Sequence, residues 1–284
     1  MAGNKPPWIR SEYRRGDIEK MEALMSGLSL NTVCREANCP NRGECFHLHT
    51  ATVMILGSRC TRNCRFCNVA HGVPAPVDPE EPEHVAEAAA KLNLKHVVIT
   101  SVTRDDLPDG GAAHFAAVTR AVKRRVPGVS VELLIPDLRG DAAALDVILD
   151  SRPEVLGHNL ETVPRLYPAA RREADYGRSL KMLATAKEHS PETVVKTGIM
   201  VGLGETPDEV EALMRDAAAA HCDALTVGQY LRPSPEHLPV AEYVTPEQFE
   251  RYAELARKLG FSSVMSGPMV RSSYHAAKML KGGR

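Results

Sequence analysis

Apolar runs of strand length alternate along the chain with amphipathic stretches of helical period. The runs are Ala51–Leu56, His96–Thr100, Val129–Ile135, Val155–Asn159, Val194–Val201 and Ala224–Gln229. Val, Ile, Leu and Thr dominate them, and their hydrophobicity is nearly continuous where a half-exposed strand would alternate. That is the signature of strands buried on both faces of a parallel sheet. Helices are predicted over Glu83–Leu92, Ala112–Val126, Asp141–Asp150, Arg178–His189, Pro207–His221 and Pro246–Leu259. Thr206 precedes Pro207 with Glu209 shortly after, and Thr245 precedes Pro246 with Gln248 likewise placed. Both read as capping boxes with proline at the first helical position, and Gly260 reads as the stop of the second helix.

Six βα units in a row curl, by right-handed crossovers, into a full or partial barrel with its reactive groups at the C-terminal strand ends. Six are too few for the eight-stranded barrel. The expected fold is therefore α/β, a partial TIM-type barrel of six βα units spanning residues 51–260. Extensions at 1–50 and 261–284 would cover its open side.

Composition changes this picture little. A chain of 284 residues, 43% hydrophobic and 25% charged, suits a single α/β barrel domain. A net charge of -1 gives no bulk attraction to nucleic acid or a membrane surface. No run of apolar residues is long enough to span a bilayer, and the N-terminal Met-Ala-Gly-Asn-Lys-Pro-Pro-Trp resembles neither a secretory signal nor a lipidation site. The expectation is a soluble, cytoplasmic protein with no nucleic-acid or membrane partner.

The cysteines matter more. Six of the seven lie between Cys34 and Cys67, a local cluster that points to metal and away from a disulfide framework. Cys60, Cys64 and Cys67 follow the first strand with spacing C-x3-C-x2-C. Three thiolates on one short loop can hold three corners of a four-iron cluster and leave the fourth iron open to a substrate. The competing reading is zinc with His71 as fourth ligand, but the triple has neither of the usual zinc-knuckle spacings. Cys34, Cys39 and Cys45, spaced C-x4-C-x5-C, form a second triple upstream. Cys222 stands alone and reads as a small buried hydrophobe.

With these motifs in place the chain resembles the lipoyl synthases, within the radical SAM (S-adenosylmethionine) superfamily, over nearly its whole length. The resemblance runs through Lys5-Pro-Pro-Trp8, the Cys34–Cys45 segment with Pro40-Asn41 and Gly43-Glu44, Ala51-Thr-Val-Met-Ile-Leu-Gly57, and Cys60-Thr-Arg-Asn-Cys-Arg-Phe-Cys67 with Val69-Ala-His-Gly72. It continues through Val98-Ile-Thr-Ser-Val-Thr-Arg-Asp-Asp-Leu107, Asp109-Gly-Gly-Ala112, His158-Asn-Leu-Glu161 and Ala174-Asp-Tyr176. Gly198-Ile-Met-Val-Gly-Leu-Gly-Glu-Thr206, Gly228-Gln-Tyr-Leu231 and Arg271-Ser-Ser-Tyr-His-Ala276 complete it. The loop triple marks the superfamily; the upstream triple together with Arg-Ser-Ser-Tyr marks the lipoyl synthases. Departures are small: Phe46-His47-Leu48-His49 replaces small residues and reads as two solvated histidines, and Gly157 stands where relatives often have Asn.

The resemblance implies a sulfurtransferase that inserts two sulfur atoms at C6 and C8 of a protein-bound N6-octanoyl-lysine, giving N6-lipoyl-lysine. It implies two 4Fe-4S clusters and two SAM per lipoyl group. One cluster, on Cys60, Cys64 and Cys67, reduces SAM to methionine and a 5′-deoxyadenosyl radical; unactivated C–H bonds demand such a radical. The other, on Cys34, Cys39, Cys45 and a serine of the Arg-Ser-Ser-Tyr motif, is the sulfur source; Ser273 is favoured over Ser272. SAM contacts are expected at strand ends: Phe66, Ser101, the Asp109-Gly110-Gly111 turn, Asn159, Glu161, Arg178 and Tyr230, with Lys196 facing the same mouth. Gly198, Gly202 and Gly204 would serve close packing beside adenine, since their spacing does not make a phosphate loop. The implied partners are octanoylated lipoyl carrier domains (the glycine cleavage H protein and the acyltransferase subunits of 2-oxoacid dehydrogenases), a flavodoxin or ferredoxin as electron donor, and a carrier that rebuilds the cluster. Arg14, Arg15, Arg35, Arg42, Arg59, Arg62 and Arg65 would form a basic rim for acidic partners. Another sulfur-inserting radical SAM enzyme, such as a methylthiotransferase or biotin synthase, lacks this pair of motifs. A cluster-bearing electron carrier would leave the barrel pattern without a purpose.

Overall fold

The computed structural model describes residues 5–10, 15–47 and 52–279. The chain packs as two compact units, one of Ser11–Arg62 and Asn68–Leu156, the other of Met1–Arg10, Asn63–Cys67 and Gly157–Arg284.

The first unit opens with helix α1 (Arg15–Gly27), the two-residue strand β1 (Asn31–Thr32) and the short helices α2 (Val33–Glu36) and α3 (Arg42–His47). Ile18, Met21 and Met25, at helical spacing, bury the inner stripe of α1. The Glu22–Arg42 ion pair (3.2 Å) and an Asp17–His47 hydrogen bond (2.9 Å) tie α1 to α3. Strands β2 (Thr52–Ile55), β3 (His96–Ser101) and β4 (Ser130–Leu134) then alternate with helices α4 (Glu81–Lys91), α5 (Ala112–Arg125) and α6 (Ala142–Leu149). β1 is antiparallel to β2, whereas β2, β3 and β4 run parallel, with Ile55 opposite Ser101 and Thr100 opposite Leu134. Both faces of β2 and β3 are covered, as their continuous apolar runs require. Val85 and Ala89 of α4 and Phe115, Val118 and Val122 of α5 are buried in the same unit.

Strand β5 (Val155–Gly157) lies where the chain passes to the second unit, which holds α7 (Tyr167–Ala170), α8 (Tyr176–His189), β6 (Val194–Val201), α9 (Pro207–Ala219), β7 (Ala224–Gln229), α10 (Pro246–Lys258), β8 (Ser263–Gly267) and α11 (Ala276–Met279). β6, β7 and β8 are parallel, with Val201 opposite Gln229 and Gly228 opposite Gly267. Within each unit neighbouring strands follow chain order, β1 to β4 in the first and β6 to β8 in the second.

The six expected strands and six expected helices all form, each boundary within two residues of the sequence reading. Thr206 makes the reciprocal capping box with Glu209. Thr245 caps its helix by accepting from the Gln248 N–H at 3.3 Å, one half of the expected box. Gly260 takes the left-handed conformation (φ +97°) of a helix stop. β8 and the three helices before β2 extend the pattern. β8 is Ser-Val-Met-Ser-Gly and half-buried throughout, too short and too mixed in polarity to announce a strand. No helix among the described residues is long and apolar enough to cross a membrane.

Candidate functional site

The register of β2 on β3 sets the chain leaving β2 beside the chain leaving β3. Leu56 adopts a left-handed conformation (φ +66°), with its N–H on Glu81 Oε2 (2.8 Å) and its carbonyl taking Arg104 Nη1 (3.1 Å). Gly111 makes room for the Leu56 side chain, because a Cβ there would strike Leu56 Cδ1. The glycine turn expected to admit a ligand thus has a packing reason of its own, and Asp109 caps α5 by accepting from Gly111 N and Ala113 N.

Beyond this turn Cys60 accepts two backbone N–H groups at its sulfur, from Thr103 (3.3 Å) and Arg62 (3.4 Å). Thr61 donates its N–H and its hydroxyl to the Thr103 carbonyl, both at 3.0 Å, and the Asp105 N–H returns to Thr61 Oγ1 at 3.1 Å. Arg62 is buried. Its guanidinium grips Asp105 with two bonds (2.7 and 2.9 Å) and Asp137 with a third (2.7 Å). Arg62 therefore belongs to the packing of the loop and not to the basic rim expected from the sequence.

Cys64 and Cys67 belong to the second unit and form one turn, Cys67 N–H to Cys64 carbonyl at 3.0 Å. Arg65 threads between backbone partners, donating to Ala170 O (2.8 Å) and accepting from Leu238 N (3.1 Å). His237 Nε2 lies 3.0 Å from the Cys67 carbonyl, and its Nδ1 lies 2.8 Å from Ser234 Oγ. A carbonyl only accepts, so Nε2 carries the proton and Nδ1 takes the serine hydroxyl. Nothing in the sequence pattern marks His237 for this role.

The upstream triple is built on two short helices. Thr32 caps α2 by accepting from Arg35 N (3.2 Å), which places Cys34 in the buried first turn. Cys39 N–H bonds the Cys34 carbonyl (3.1 Å), Arg42 N–H the Cys39 carbonyl (3.3 Å), and Cys45 N–H the Asn41 carbonyl (2.9 Å). Burial pushes the Cys34 thiol up to about 12, helped by the charge of Cys39; burial does the same to Cys45, helped by Cys34 and Cys39. The three sulfurs thus feel one another, and as thiolates they call for a cationic centre among them. Among the described residues no three His, Cys, Asp or Glu side chains converge as closely as a single metal ion requires. All seven cysteines are free of disulfides.

In the second unit, Asn159 and Glu161 follow β5. Asn159 Nδ2 donates to Glu161 Oε1 (3.1 Å) and to Ser272 Oγ (3.2 Å). Glu161 is left-handed (φ +66°), and burial raises its carboxyl above the ordinary range against the pull of Arg171 and Asn159. Gly198 leaves space for this group, since a Cβ would come within 2.5 Å of Thr226 Oγ1 and 2.9 Å of Asn159 Oδ1. Gly202 likewise yields to Gln229 and the Glu242 carbonyl, whereas a Cβ on Gly204 would meet only Ala241 Cβ at 3.8 Å. Gly228 has the C-terminal segment laid on it: a Cβ would collide with the Val270 carbonyl. This contact seats Arg271–Tyr274, a turn closed by Tyr274 N–H on the Arg271 carbonyl (2.9 Å).

Other expected residues are scattered. Ser101 ends β3 with its buried hydroxyl lacking a hydrogen-bond partner, an acceptor-donor pair a ligand could satisfy. Tyr230 is buried and spends its hydroxyl on Leu238 O (2.8 Å), and Lys196 is buried in β6. Arg178 starts α8 with its N–H on Asp175 Oδ1 (2.6 Å) and Nη2 on Glu173 O (3.2 Å). Phe66 is half-buried, and Arg59 and Arg65 are exposed. Arg35 pairs with Glu36 and Arg42 with Glu22. His47 bonds Asp17 and is not simply solvated; Leu48, His49, Arg14 and the Arg15 side chain lie outside the described residues. Cys222 is buried, as expected.

Comparison with known proteins agrees with this construction. The radical SAM superfamily model matches residues 54–217. A lipoyl synthase of Caldanaerobacter subterraneus subsp. tengcongensis is 56% identical over 276 residues, covering 97% of each chain. One of Alkaliphilus metalliredigens is 53% identical over 278 residues, covering 98% of this chain and 96% of its own. In fold, the crystal structure of methylornithine synthase superposes with a TM-score of 0.58 at 15% identity, over 87% of this chain and 70% of that one. With this identity to lipoyl synthases over nearly its whole length, and the radical SAM superfamily model matched over residues 54–217, the chain belongs to the lipoyl synthase family of the radical SAM superfamily.

Proposed function

We propose that this radical SAM enzyme of lipoate biosynthesis inserts sulfur at C6 and C8 of an octanoyl group carried on a lysine of a lipoyl domain, drawing both sulfurs from an auxiliary 4Fe-4S cluster. The observation that carries this reading is the pair of separate cysteine triples, Cys34, Cys39 and Cys45 before β2 and Cys60, Cys64 and Cys67 after it. Cys60, Cys64 and Cys67 would hold one cluster, and Cys34, Cys39 and Cys45 with Ser273 the other. When bound, the first supplies the electron that splits SAM and the second supplies sulfide.

The chain's own residues orient these groups. Thr103 and Arg62 aim N–H groups at the Cys60 sulfur, and His237 holds the Cys67 carbonyl. Asn159 and Glu161 present amide and carboxyl groups suited to ribose hydroxyls, the Ser101 hydroxyl awaits a polar partner, Arg178 suits a carboxylate and Phe66 the adenine, while the buried Tyr230, its hydroxyl on Leu238 O, is no direct contact. Asn159 engages the Ser272 hydroxyl, tying this turn to the end of β5. The exposed Arg59 and Arg65 suit an acidic carrier surface, such as a glycine cleavage H protein or an acyltransferase subunit of a 2-oxoacid dehydrogenase, and an acidic flavodoxin or ferredoxin donor. A sulfide-donating cluster must be rebuilt, so a cluster-repair carrier follows from the same chemistry, in the cytoplasm where such carriers work. Anaerobic iron and sulfide counting combined with mass analysis of an octanoyl-lysine substrate tests the reading: about eight irons per chain and a mass gain of two sulfurs support it, and four irons with no sulfur gain overturn it.

A further inference from the structure

The Arg62–Asp105–Asp137 group, with Arg62 and Asp137 buried, lies in the first unit. Its position in the fold is specific. Arg62 is the second residue after Cys60, Asp105 the second after Thr103, and Asp137 is a fully buried carboxylate in the loop beyond β4. Backbone bonds already pair Thr61 with Thr103, and the guanidinium adds three charge-assisted bonds that lock the same two segments in one register. Only in that register do both N–H groups, of Arg62 and of Thr103, reach the Cys60 sulfur. Arg139, at 3.2 Å from Asp105, balances the second carboxylate from the solvent side. A buried arginine fixed by two carboxylates is an expensive way to hold a loop for stability alone, since apolar packing of equal volume does as well or better.

We infer that Arg62 is a positioning residue which, through Asp105 and Asp137, holds two N–H donors on the Cys60 sulfur and so raises the reduction potential of the cluster that Cys60 binds. The inference rests on the reading that Cys60, Cys64 and Cys67 bind a reducible cluster. Donors on a cluster sulfur favour the more negative, reduced state, so their loss lowers the potential.

The test is a redox titration followed by electron paramagnetic resonance, in a Cys39→Ala background so that one cluster is read. Arg62→Gln and Asp137→Asn are expected to retain iron at the loop triple but to lower the reduced-to-oxidised ratio at fixed poise at least about threefold. Arg62→Lys, which keeps the charge and loses the fork, should fall between them and the parent. An unchanged midpoint with iron retained, even with a lower melting temperature, makes the clamp merely structural and overturns the inference. If Arg62→Gln fails to hold iron, amide exchange in cluster-free Asp137→Asn decides: Thr103 and Arg62 N–H are expected to exchange at least about tenfold faster than in the parent, and equal protection overturns the inference. A parent protein with no reducible cluster at the loop triple is a different result, because it removes the functional reading itself before any variant is made.

Discussion

Asn159 donates from Nδ2 to the hydroxyl of Ser272 at 3.2 Å, joining a strand end to a turn 113 residues further along the chain. The same amide nitrogen serves Glu161, so one side chain links the candidate ribose-binding group to the C-terminal motif. Ser272→Ala should cost about 1 kcal/mol in stability through one lost hydrogen bond and leave the iron content and lipoyl formation in place. Ser273→Ala should keep SAM cleavage and lower lipoyl formation at least about tenfold. Iron counts and product ratios for the two variants check this, and the opposite pattern would assign the ligand to Ser272.

Gly228 carries the Val270 carbonyl where a Cβ would stand. Gly228→Ala should therefore lift residues 270–274 from β7 at a cost of about 2 kcal/mol. Limited proteolysis and amide exchange across that turn would report the loosening, while β6 and α9 should keep the parent's protection. Unchanged protection at the turn would mean that the segment is held by other contacts.

Glu161 gives a pH dependence whose sign is fixed by its environment. Burial raises its carboxyl above the ordinary value of 4.5, so folding favours the protonated form. Its contribution to stability is complete below that ordinary value and is lost as pH rises through the raised one. Glu161→Gln, neutral at every pH, should remove that loss. Melting temperatures of cluster-free protein between pH 4 and pH 8 should fall less steeply in the variant than in the parent, and parallel curves would show that Arg171 and Asn159 offset the burial fully.

The six βα units were legible because strands buried on both faces leave unbroken apolar runs, and because Thr206, Thr245 and Gly260 punctuate their helices in ways with a local physical cause. Cysteine spacing was legible for a similar reason: ligands to one cluster sit close together in the chain. Long-range partners were not. His237 meets the Cys67 carbonyl 170 residues away, and no periodicity or spacing foretells a single imidazole in a loop. Arg62 misled for the opposite reason, since an arginine among arginines reads as surface charge until Asp105 and Asp137 are seen to bury it. The helices around Cys34 and Cys45 escaped because a four-residue or six-residue helix is shorter than any periodic signal.

Cys64→Ala should abolish SAM cleavage while leaving the upstream triple able to hold its iron, because the two sets of sulfurs are built by different parts of the chain. Anaerobically reconstituted parent should carry about eight irons and the variant about four. A variant that still released 5′-deoxyadenosine at the parent rate would show that SAM is reduced elsewhere.

The division of labour between the two triples is tested most directly by one assay of Cys39→Ala, with 5′-deoxyadenosine and lipoyl product measured together by mass spectrometry on an octanoyl-lysine peptide. The variant is predicted to release 5′-deoxyadenosine within about threefold of the parent rate and to form no lipoyl product, since the groups that bind SAM are intact and the sulfur source is not. Lipoyl product at the parent rate would contradict the account.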